Sequence, residues 1–229
     1  MKKKKRRYSA SRRRRQRQLI KRCIYSILAV ILVIVAFGGV RRAIDRRNAS
    51  AVDWYNEDDP GRPQIDVQLL TINEYSRPGT PIDRINNIVI HYTANPGSTA
   101  QGNRNYFENL KDTHTTKASS HFVVGLEGEI IQCIPTTEVA YASNDRNSDT
   151  ISIEVCHEDD TGLFSDATYQ SLVHLTAWLC ERTGLGTDQI IRHYDITGKI
   201  CPKYYVEHED AWIQFKRDVG EKMLFLDQE

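Results

Sequence analysis

Several features that mark special classes of protein are scarce in this chain of 229 residues. It has only 13 Gly and 7 Pro, which excludes a collagen-like repeat. We find no internal repeat at a spacing of 20–50 residues, which excludes a repeat architecture. Apolar residues make up 40% of the chain, so it is not wholly disordered and has enough of them for the core of one domain of ordinary size.

Acidic residues are absent from residues 1–22, which contain thirteen Lys and Arg. Residues 23–229 hold the other eighteen basic residues and all thirty acidic ones, so this part carries a net charge of −12. A basic segment ahead of an acidic body can bind nucleic acid, or it can set the orientation of a membrane segment. The residues that follow it favour the second explanation.

Residues 23–40, CIYSILAVILVIVAFGGV, contain no charged side chain. A helix of this length spans about 27 Å, close to the thickness of about 30 Å of a bilayer core. Thirteen basic residues precede it and only four follow it closely, which predicts a cytoplasmic N-terminus and an extracytoplasmic body. We therefore predict an uncleaved single-pass anchor in the cell membrane and no nucleic-acid partner. The alternative is a signal peptide cleaved near residues 49–51.

The chain is predicted to have four parts: a basic cytoplasmic tail (1–22), a transmembrane helix (23–40), a linker (41–63) and one globular domain (64–229). In the globular part, short β-branched runs are interspersed with segments of helical periodicity. This pattern predicts an α/β fold in which a central mixed β-sheet is flanked by helices.

Individual elements of this fold follow from local patterns. Strands are predicted to end at His91 and to cover residues 121–124, 130–134, 151–156 and 190–191. Helices are predicted from an N-cap at Ser98 to Leu110, from an N-cap at Ser165 to Thr183, and over residues 209–221. Leu126 to Glu129 is predicted to be a hairpin turn.

Three residues suited to zinc binding lie next to these elements. His91 ends a buried strand, His193 ends another, and Cys201 follows eight residues later. Two histidines and one cysteine leave a fourth position for water, as in catalytic zinc sites. The H-E-x-x-H pattern of helix-borne zinc proteases is absent. On spacing alone, structural roles in the core remain an alternative for all three residues.

Four segments extend this pattern: IVIHYTANPG (88–97), ASSHFVVGLEGEIIQCIP (118–135), TISIEVC (150–156) and RHYDITGKICP (192–202). In this order they closely resemble the zinc-dependent N-acetylmuramoyl-L-alanine amidases of the amidase-2 group. Those enzymes are similar in fold to amidase-type phage lysozymes and animal peptidoglycan-recognition proteins. The resemblance implies hydrolysis of the amide bond between the lactyl group of N-acetylmuramic acid and L-alanine in peptidoglycan.

The resemblance also implies roles for individual residues and one Zn²⁺ per chain. The positions that match the zinc ligands are His91, His193 and Cys201. Glu154 matches the general base, and Lys199 matches the basic residue that stabilises the oxyanion. Ser120 stands where the phage and animal branches have a tyrosine, which makes Glu154 the expected proton carrier.

Residues near these positions are expected to contact the substrate: Tyr92, Thr93, Asn95, His121, Asn144 and Arg146. For the first three, packing within their loop is an equally good alternative. For His121, a structural role or a substrate contact is expected, and metal ligation is the alternative.

Cysteine is scarce as well, with five residues in the chain, one of them in the apolar segment 23–40. If Cys201 binds zinc, an odd number of cysteines remains in the globular domain: Cys133, Cys156 and Cys180. An odd number argues against a disulfide framework, so we expect buried free thiols. A bridge between Cys133 and Cys156 is the alternative.

These features together predict a monomeric, membrane-anchored cell-wall amidase whose domain faces peptidoglycan. One competing hypothesis is a peptidoglycan-binding module of the same fold without catalysis. Another is an amidase that cleaves a different cell-wall amide, such as a peptide cross-link.

Overall fold

A computed structural model describes Asp59 and residues 61–226 of the chain. The predicted cytoplasmic tail and membrane helix, together with nearly all of the predicted linker, lie outside the described residues. In the part that is described, no helix has both the length and the apolar character that crossing a bilayer requires.

A six-stranded sheet forms the centre of the described domain. Its strands are β1 (Asp66–Val67), β2 (Asn87–Tyr92), β3 (Phe122–Val124), β4 (Ile130–Gln132), β5 (Thr150–Val155) and β6 (Ile190–Arg192). They lie in the order β1-β4-β3-β5-β2-β6, and all neighbours are parallel except the antiparallel β3–β4 pair. The predicted mixed sheet is confirmed, whereas the two-residue β1 was not predicted.

Five helices accompany the sheet in the described residues: α1 (Ala100–Thr113), α2 (Asp166–Thr183), α3 (His193–Thr197), α4 (Lys203–Glu207) and α5 (Glu209–Met223). The Ser165 side chain caps α2 by accepting from the backbone N–H of Thr168, as predicted. The cap predicted for α1 was wrong by one residue. Thr99 Oγ1 accepts from Gly102 N at 3.1 Å, while Ser98 Oγ instead contacts Asn103.

Each face of the sheet buries its own set of apolar side chains. Ile90 belongs to a cluster with Trp178 of α2 and Phe215 of α5. On the opposite face, Val123 packs in a cluster with Phe107 of α1. Helices therefore cover both faces, which explains why the central strands are almost continuously buried.

The β3–β4 hairpin turns at Gly128, where φ is +83°. A Cβ at this position would lie 2.7 Å from Ser171 Oγ and 2.8 Å from the Ala167 carbonyl oxygen of α2. Glycine therefore provides both the left-handed backbone and the close approach of the turn to the helix. The hairpin predicted from residues 126–129 is confirmed.

Candidate functional site

Three neighbouring parallel strands carry the candidate catalytic residues to one edge of the sheet. β5, β2 and β6 lie side by side, so their carboxyl ends meet. His91 on β2 pairs directly with Glu154 on β5, which places both side chains on the same face. His193 is the first residue after β6. Ligand sites in open α/β sheets commonly form at this edge.

Cys201 reaches the same place from the loop between α3 and α4. The backbone N–H of Tyr194 donates to the Cys201 carbonyl oxygen at 3.0 Å, and the backbone of Tyr92 forms a hydrogen bond with the thiol. These two bonds hold the loop against the ends of β6 and β2. The candidate ligand atoms of His91, His193 and Cys201 consequently lie within 4.8 Å of one another, and all three residues are buried.

The distances suit a small tetrahedral ion. Cys201 Sγ lies 3.9 Å from His91 Nδ1, and the centroids of the His91 and His193 rings are 4.7 Å apart. Zinc bonds of about 2.0–2.3 Å place ligand atoms about 3.3–3.8 Å from one another. Small side-chain shifts therefore suffice to bring the three ligand atoms to one shared ion.

The electrostatic setting favours neutral imidazoles at this site. Burial lowers the pKa of His91 well below its usual value, and the charges of His193 and Lys199 lower it further. Burial and the Lys199 charge also lower the pKa of His193. Because a metal binds the deprotonated ring nitrogen, neither ligand has to lose a proton near neutral pH.

The Cys201 thiol differs from the histidines in this respect. Burial raises its pKa to about 12, and the neighbouring charge of Glu154 acts in the same direction. The thiol is therefore protonated at neutral pH, and binding of a metal as thiolate would release this proton. Zinc, which forms strong bonds with both thiolate and imidazole, suits this set of donors.

Glu154 places a carboxyl group without a hydrogen-bond partner beside these residues. Its Oε2 atom is buried and accepts no hydrogen bond from any described residue. Burial raises the pKa of Glu154 to about 8, an effect that the positive charge of Lys199 partly opposes. Buried polar atoms normally have partners, so an unpaired one at this edge indicates a missing ligand or water.

Two further residues contact the Nε2 atoms of His91 and His193. The sequence did not predict these contacts. Ser143 Oγ lies 3.4 Å from His91 Nε2, and Asn144 Oδ1 lies 2.9 Å from His193 Nε2. Asn144 was predicted as a substrate contact, whereas Ser143 was given no role. Nothing in the local sequence signals either contact, because the partners are about fifty residues away in the chain.

The predicted substrate residues that follow His91 lie around the end of β2. The Tyr92 ring stacks on His157 with centroids 5.0 Å apart. Ser98 Oγ donates to Thr93 Oγ1 at 3.4 Å, and the Asn95 side chain is exposed. Their contacts with a substrate remain a prediction.

Arg146 lies in the loop before β5, and its guanidinium already has hydrogen-bond partners. Its guanidinium donates to the Asp149 carboxylate at 2.8 Å and to Asn87 Oδ1 at 2.6 Å. The hydrogen bond with Asp149 raises the pKa of the guanidinium. The observed role of Arg146 is thus to hold this loop against β2, and a substrate contact remains a prediction.

His121 lies in the core beside β5. The backbone N–H of Ser152 donates to its Nδ1 at 3.0 Å, and its Nε2 donates to the Glu138 carbonyl oxygen at 2.9 Å. Burial lowers the pKa of His121 to about 4. The ring is 1% exposed and both nitrogens are used. The observed role of His121 is thus structural, and its contact with a substrate stays a prediction.

The remaining cysteines of the described domain are buried free thiols, as predicted: Cys133, Cys156 and Cys180. Cys133 and Cys156 belong to the same core cluster but form no disulfide, so the alternative bridge was wrong. Ser120 is also buried, and its hydroxyl donates to the Ser152 carbonyl oxygen at 2.9 Å.

Comparisons with known proteins agree with this arrangement. The profile of the Amidase_2 family, described as N-acetylmuramoyl-L-alanine amidase, matches residues 81–204. The chain is 38% identical over 164 residues to N-acetylmuramoyl-L-alanine amidase CwlL of Bacillus licheniformis, covering 66% of this chain and 45% of that relative. It is 35% identical over 175 residues to N-acetylmuramoyl-L-alanine amidase BlyA of Bacillus subtilis, covering 67% and 46%. The chain thus matches about half the length of these curated relatives.

Solved structures show the same fold. The catalytic domain of XlyA superposes with a TM-score of 0.58 at 25% identity, covering 69% of this chain and all of that one. A mutant endolysin from Bacillus subtilis superposes with a TM-score of 0.59 at 26% identity, covering the same shares. The family match spans more than half of the chain and includes all three candidate ligands. This chain therefore belongs to the Amidase_2 family of N-acetylmuramoyl-L-alanine amidases.

Proposed function

We propose that this protein is a zinc-dependent N-acetylmuramoyl-L-alanine amidase. It would hydrolyse the amide bond between the lactyl group of N-acetylmuramic acid and L-alanine in peptidoglycan. The observation that carries the proposal is the convergence of His91, His193 and Cys201 beside a buried carboxyl group. The names of the curated relatives support the substrate and the bond.

The residues present fit a zinc ion. Two imidazoles held neutral by burial and one cysteine would hold the ion. The unpaired Oε2 of Glu154 is available to bond a water molecule beside them. When bound, zinc supplies Lewis-acid chemistry to the scissile carbonyl and to the attacking water.

Glu154 would carry the proton in this reaction. Its carboxylate takes a proton from the attacking water and passes it to the amide nitrogen that leaves. A pKa near 8 lies close to neutral pH, where a group can both accept and return a proton. The positive charge of Lys199 favours the ionised carboxylate, which is the form that acts as base.

Lys199 would stabilise the negative charge that develops on the carbonyl oxygen. Its side chain is exposed, and its charge lowers the pKa of both histidines, so the ammonium group lies within electrostatic range of the ligand set. One well-placed donor to an oxyanion contributes about 3–4 kcal/mol to transition-state stabilisation.

A digest of purified peptidoglycan by the full-length chain tests the reaction. Mass spectrometry should find glycan strands with free lactyl carboxylates and peptides with a free L-alanine amino group. A chelator should abolish these products, and added zinc should restore them. New amino groups elsewhere in the peptides would indicate a different cell-wall amidase. Binding to peptidoglycan without any product would indicate a non-catalytic module.

We also propose that residues 23–40 anchor the protein in the cell membrane, with the N-terminus in the cytoplasm and the domain outside. The uncharged segment and the thirteen basic residues before it support this orientation. The protein should remain in the membrane pellet after carbonate extraction, and protease added to intact spheroplasts should digest the domain. Release by carbonate or full protection from protease would contradict the proposal.

A further inference from the structure

We propose that the Ser143–Asn144 turn positions the two histidine ligands by accepting hydrogen bonds from their outer ring nitrogens, and that Asn144 is the dominant acceptor. The inference rests on the zinc site described under the proposed function. It gives this turn a role in metal affinity that is separate from any contact with substrate.

The contact of Asn144 with His193 determines which ring nitrogen is free. Asn144 Oδ1 lies 2.9 Å from His193 Nε2, and a carbonyl oxygen can only accept a hydrogen bond. The hydrogen of the neutral imidazole is therefore on Nε2, which leaves the lone pair of Nδ1 for a metal. Partners of this kind typically fix both the tautomer and the orientation of a ligand histidine.

His91 has the same arrangement with a weaker partner. Its Nδ1 faces the Cys201 sulfur at 3.9 Å, while its Nε2 faces Ser143 Oγ at 3.4 Å. Ser143 is 1% exposed, so water does not readily compete for this contact. Because the contact is at the long limit for a hydrogen bond, we expect it to contribute less than the contact made by Asn144.

The turn itself is held by its own side chains. Asn147 Oδ1 accepts from the backbone N–H groups of Ala142 and Ser143 at 3.0 and 2.5 Å. Thr150 Oγ1, at the start of β5, donates to the Arg146 carbonyl oxygen at 2.7 Å. These bonds attach the turn to the strand that carries Glu154.

The backbone at Asn144 is left-handed, with φ of +52°. Asparagine, aspartate and glycine tolerate this conformation, whereas most other residues are strained in it. Three residue types can therefore occupy the position with little backbone strain. Of these, only asparagine and aspartate provide an acceptor.

The effect of the acceptor oxygen can therefore be tested without straining the backbone. Asn144→Gly removes Oδ1 but suits the left-handed backbone, and Asn144→Asp retains an acceptor oxygen at the same reach. Ser148→Ala, at an exposed position of the same loop, is the matched control.

Each variant is made in the full-length chain in detergent. Three properties are measured: zinc affinity by competition with a chromophoric chelator, the visible spectrum of the cobalt(II) form, and thermal unfolding without metal.

We expect Asn144→Gly to lower zinc affinity by about 10–100-fold, the usual effect of losing such a partner. Its cobalt spectrum should change, while its metal-free unfolding temperature should stay close to that of the parent. Asn144→Asp should bind zinc at least as tightly as the parent, because a carboxylate is a stronger acceptor. Ser148→Ala should match the parent in all three measurements.

Parental zinc affinity in Asn144→Gly would overturn the inference. Equal weakening in Asn144→Asp and Asn144→Gly would also overturn it, because the acceptor would then not matter. A loss of metal-free stability that accounts for the weaker binding would assign Asn144 a purely structural role. If the parental chain binds no zinc, the proposed function fails together with this inference. If the parental chain binds zinc and Asn144→Gly binds it equally well, only this inference fails.

Discussion

His91 and Glu154 lie directly opposite each other on neighbouring parallel strands, with their side chains on the same face of the sheet. This pairing is set by the register of β2 and β5 rather than by any loop. The candidate metal ligand and the candidate base are therefore held together by the most regular part of the domain. Rigid strands are a more precise support for reacting groups than loops are.

Glu154→Gln should retain zinc and lose most of the turnover. The amide keeps the shape of the side chain but cannot accept the water proton, so we expect turnover to fall by about 10²–10⁴-fold. Peptidoglycan hydrolysis and zinc content are measured on the same preparation. Glu158→Gln, at an exposed position four residues further on, is the control and should behave as the parent. Parental turnover in Glu154→Gln would show that another group carries the proton.

Lys199→Met should reduce turnover without loss of metal. Removal of one positive donor to an oxyanion typically costs about 10²–10³-fold in turnover. The effect should fall on the maximal rate more than on the substrate concentration at half-maximal rate, because the charge acts on the transition state. Lys216→Met, on α5, is the control. An unchanged maximal rate in Lys199→Met would contradict the role proposed for Lys199.

Cys201→Ser should retain much less zinc than the parent after dialysis. A hydroxyl is a poorer ligand for zinc than a thiolate, so the loss is expected even if the loop keeps its shape. Elemental analysis gives the stoichiometry. Cys133→Ala is the control, because this thiol is buried in the core cluster and should not affect metal content. Full zinc occupancy in Cys201→Ser would remove this residue from the ligand set.

Ser165→Ala should destabilise the domain by about 1 kcal/mol, since the side chain caps α2 through the backbone N–H of Thr168. In a domain of this size the melting temperature should fall by about 2–4 °C. Gln170→Ala, at an exposed position within the same helix, is the control and should leave the melting temperature unchanged or slightly higher. Equal stability of Ser165→Ala and the parent would show that water replaces the cap without loss.

His121 should make the domain less stable as the pH falls. Its pKa is about 4 in the folded protein and about 6.5 when unfolded, so the unfolded chain binds the proton more tightly. This contribution to stability is complete above pH 6.5 and is lost between pH 6.5 and 4, a change of about 3 kcal/mol.

His121→Gln tests this dependence, since glutamine does not titrate in that range. Both proteins are unfolded with denaturant in the presence of chelator, so that loss of metal does not contribute. The variant should be less stable at pH 7, and the difference from the parent should shrink as the pH approaches 4. A difference that stays constant over this range would show that the buried ring is not the titrating group.

Local patterns predicted much of the fold. The run Ile88-Val89-Ile90 predicted a buried strand because a parallel strand covered on both faces is apolar throughout. The predicted N-cap at Ser165 is found at the start of α2, because capping depends on residues next to the helix. The order of the four segments, through their resemblance to one family, predicted His91, His193 and Cys201 as one set, and their candidate ligand atoms lie within 4.8 Å of one another.

Features that depend on distant partners were not predicted. β1 has only two residues and exists through its pairing with β4. The contacts of Ser143 and Asn144 depend on β2 and β6, which the chain reaches about fifty residues before and after the turn. No local pattern contains this information.

X-ray absorption at the zinc edge identifies the atoms bound to the metal. We expect one zinc per chain, with one sulfur at about 2.3 Å and nitrogen or oxygen neighbours at about 2.0–2.1 Å. Cys201→Ser should lose the sulfur neighbour, and Cys133→Ala should keep it. A spectrum of the parental chain without sulfur, or a sulfur signal that persists in Cys201→Ser, would contradict the assignment of His91, His193 and Cys201 as the metal site.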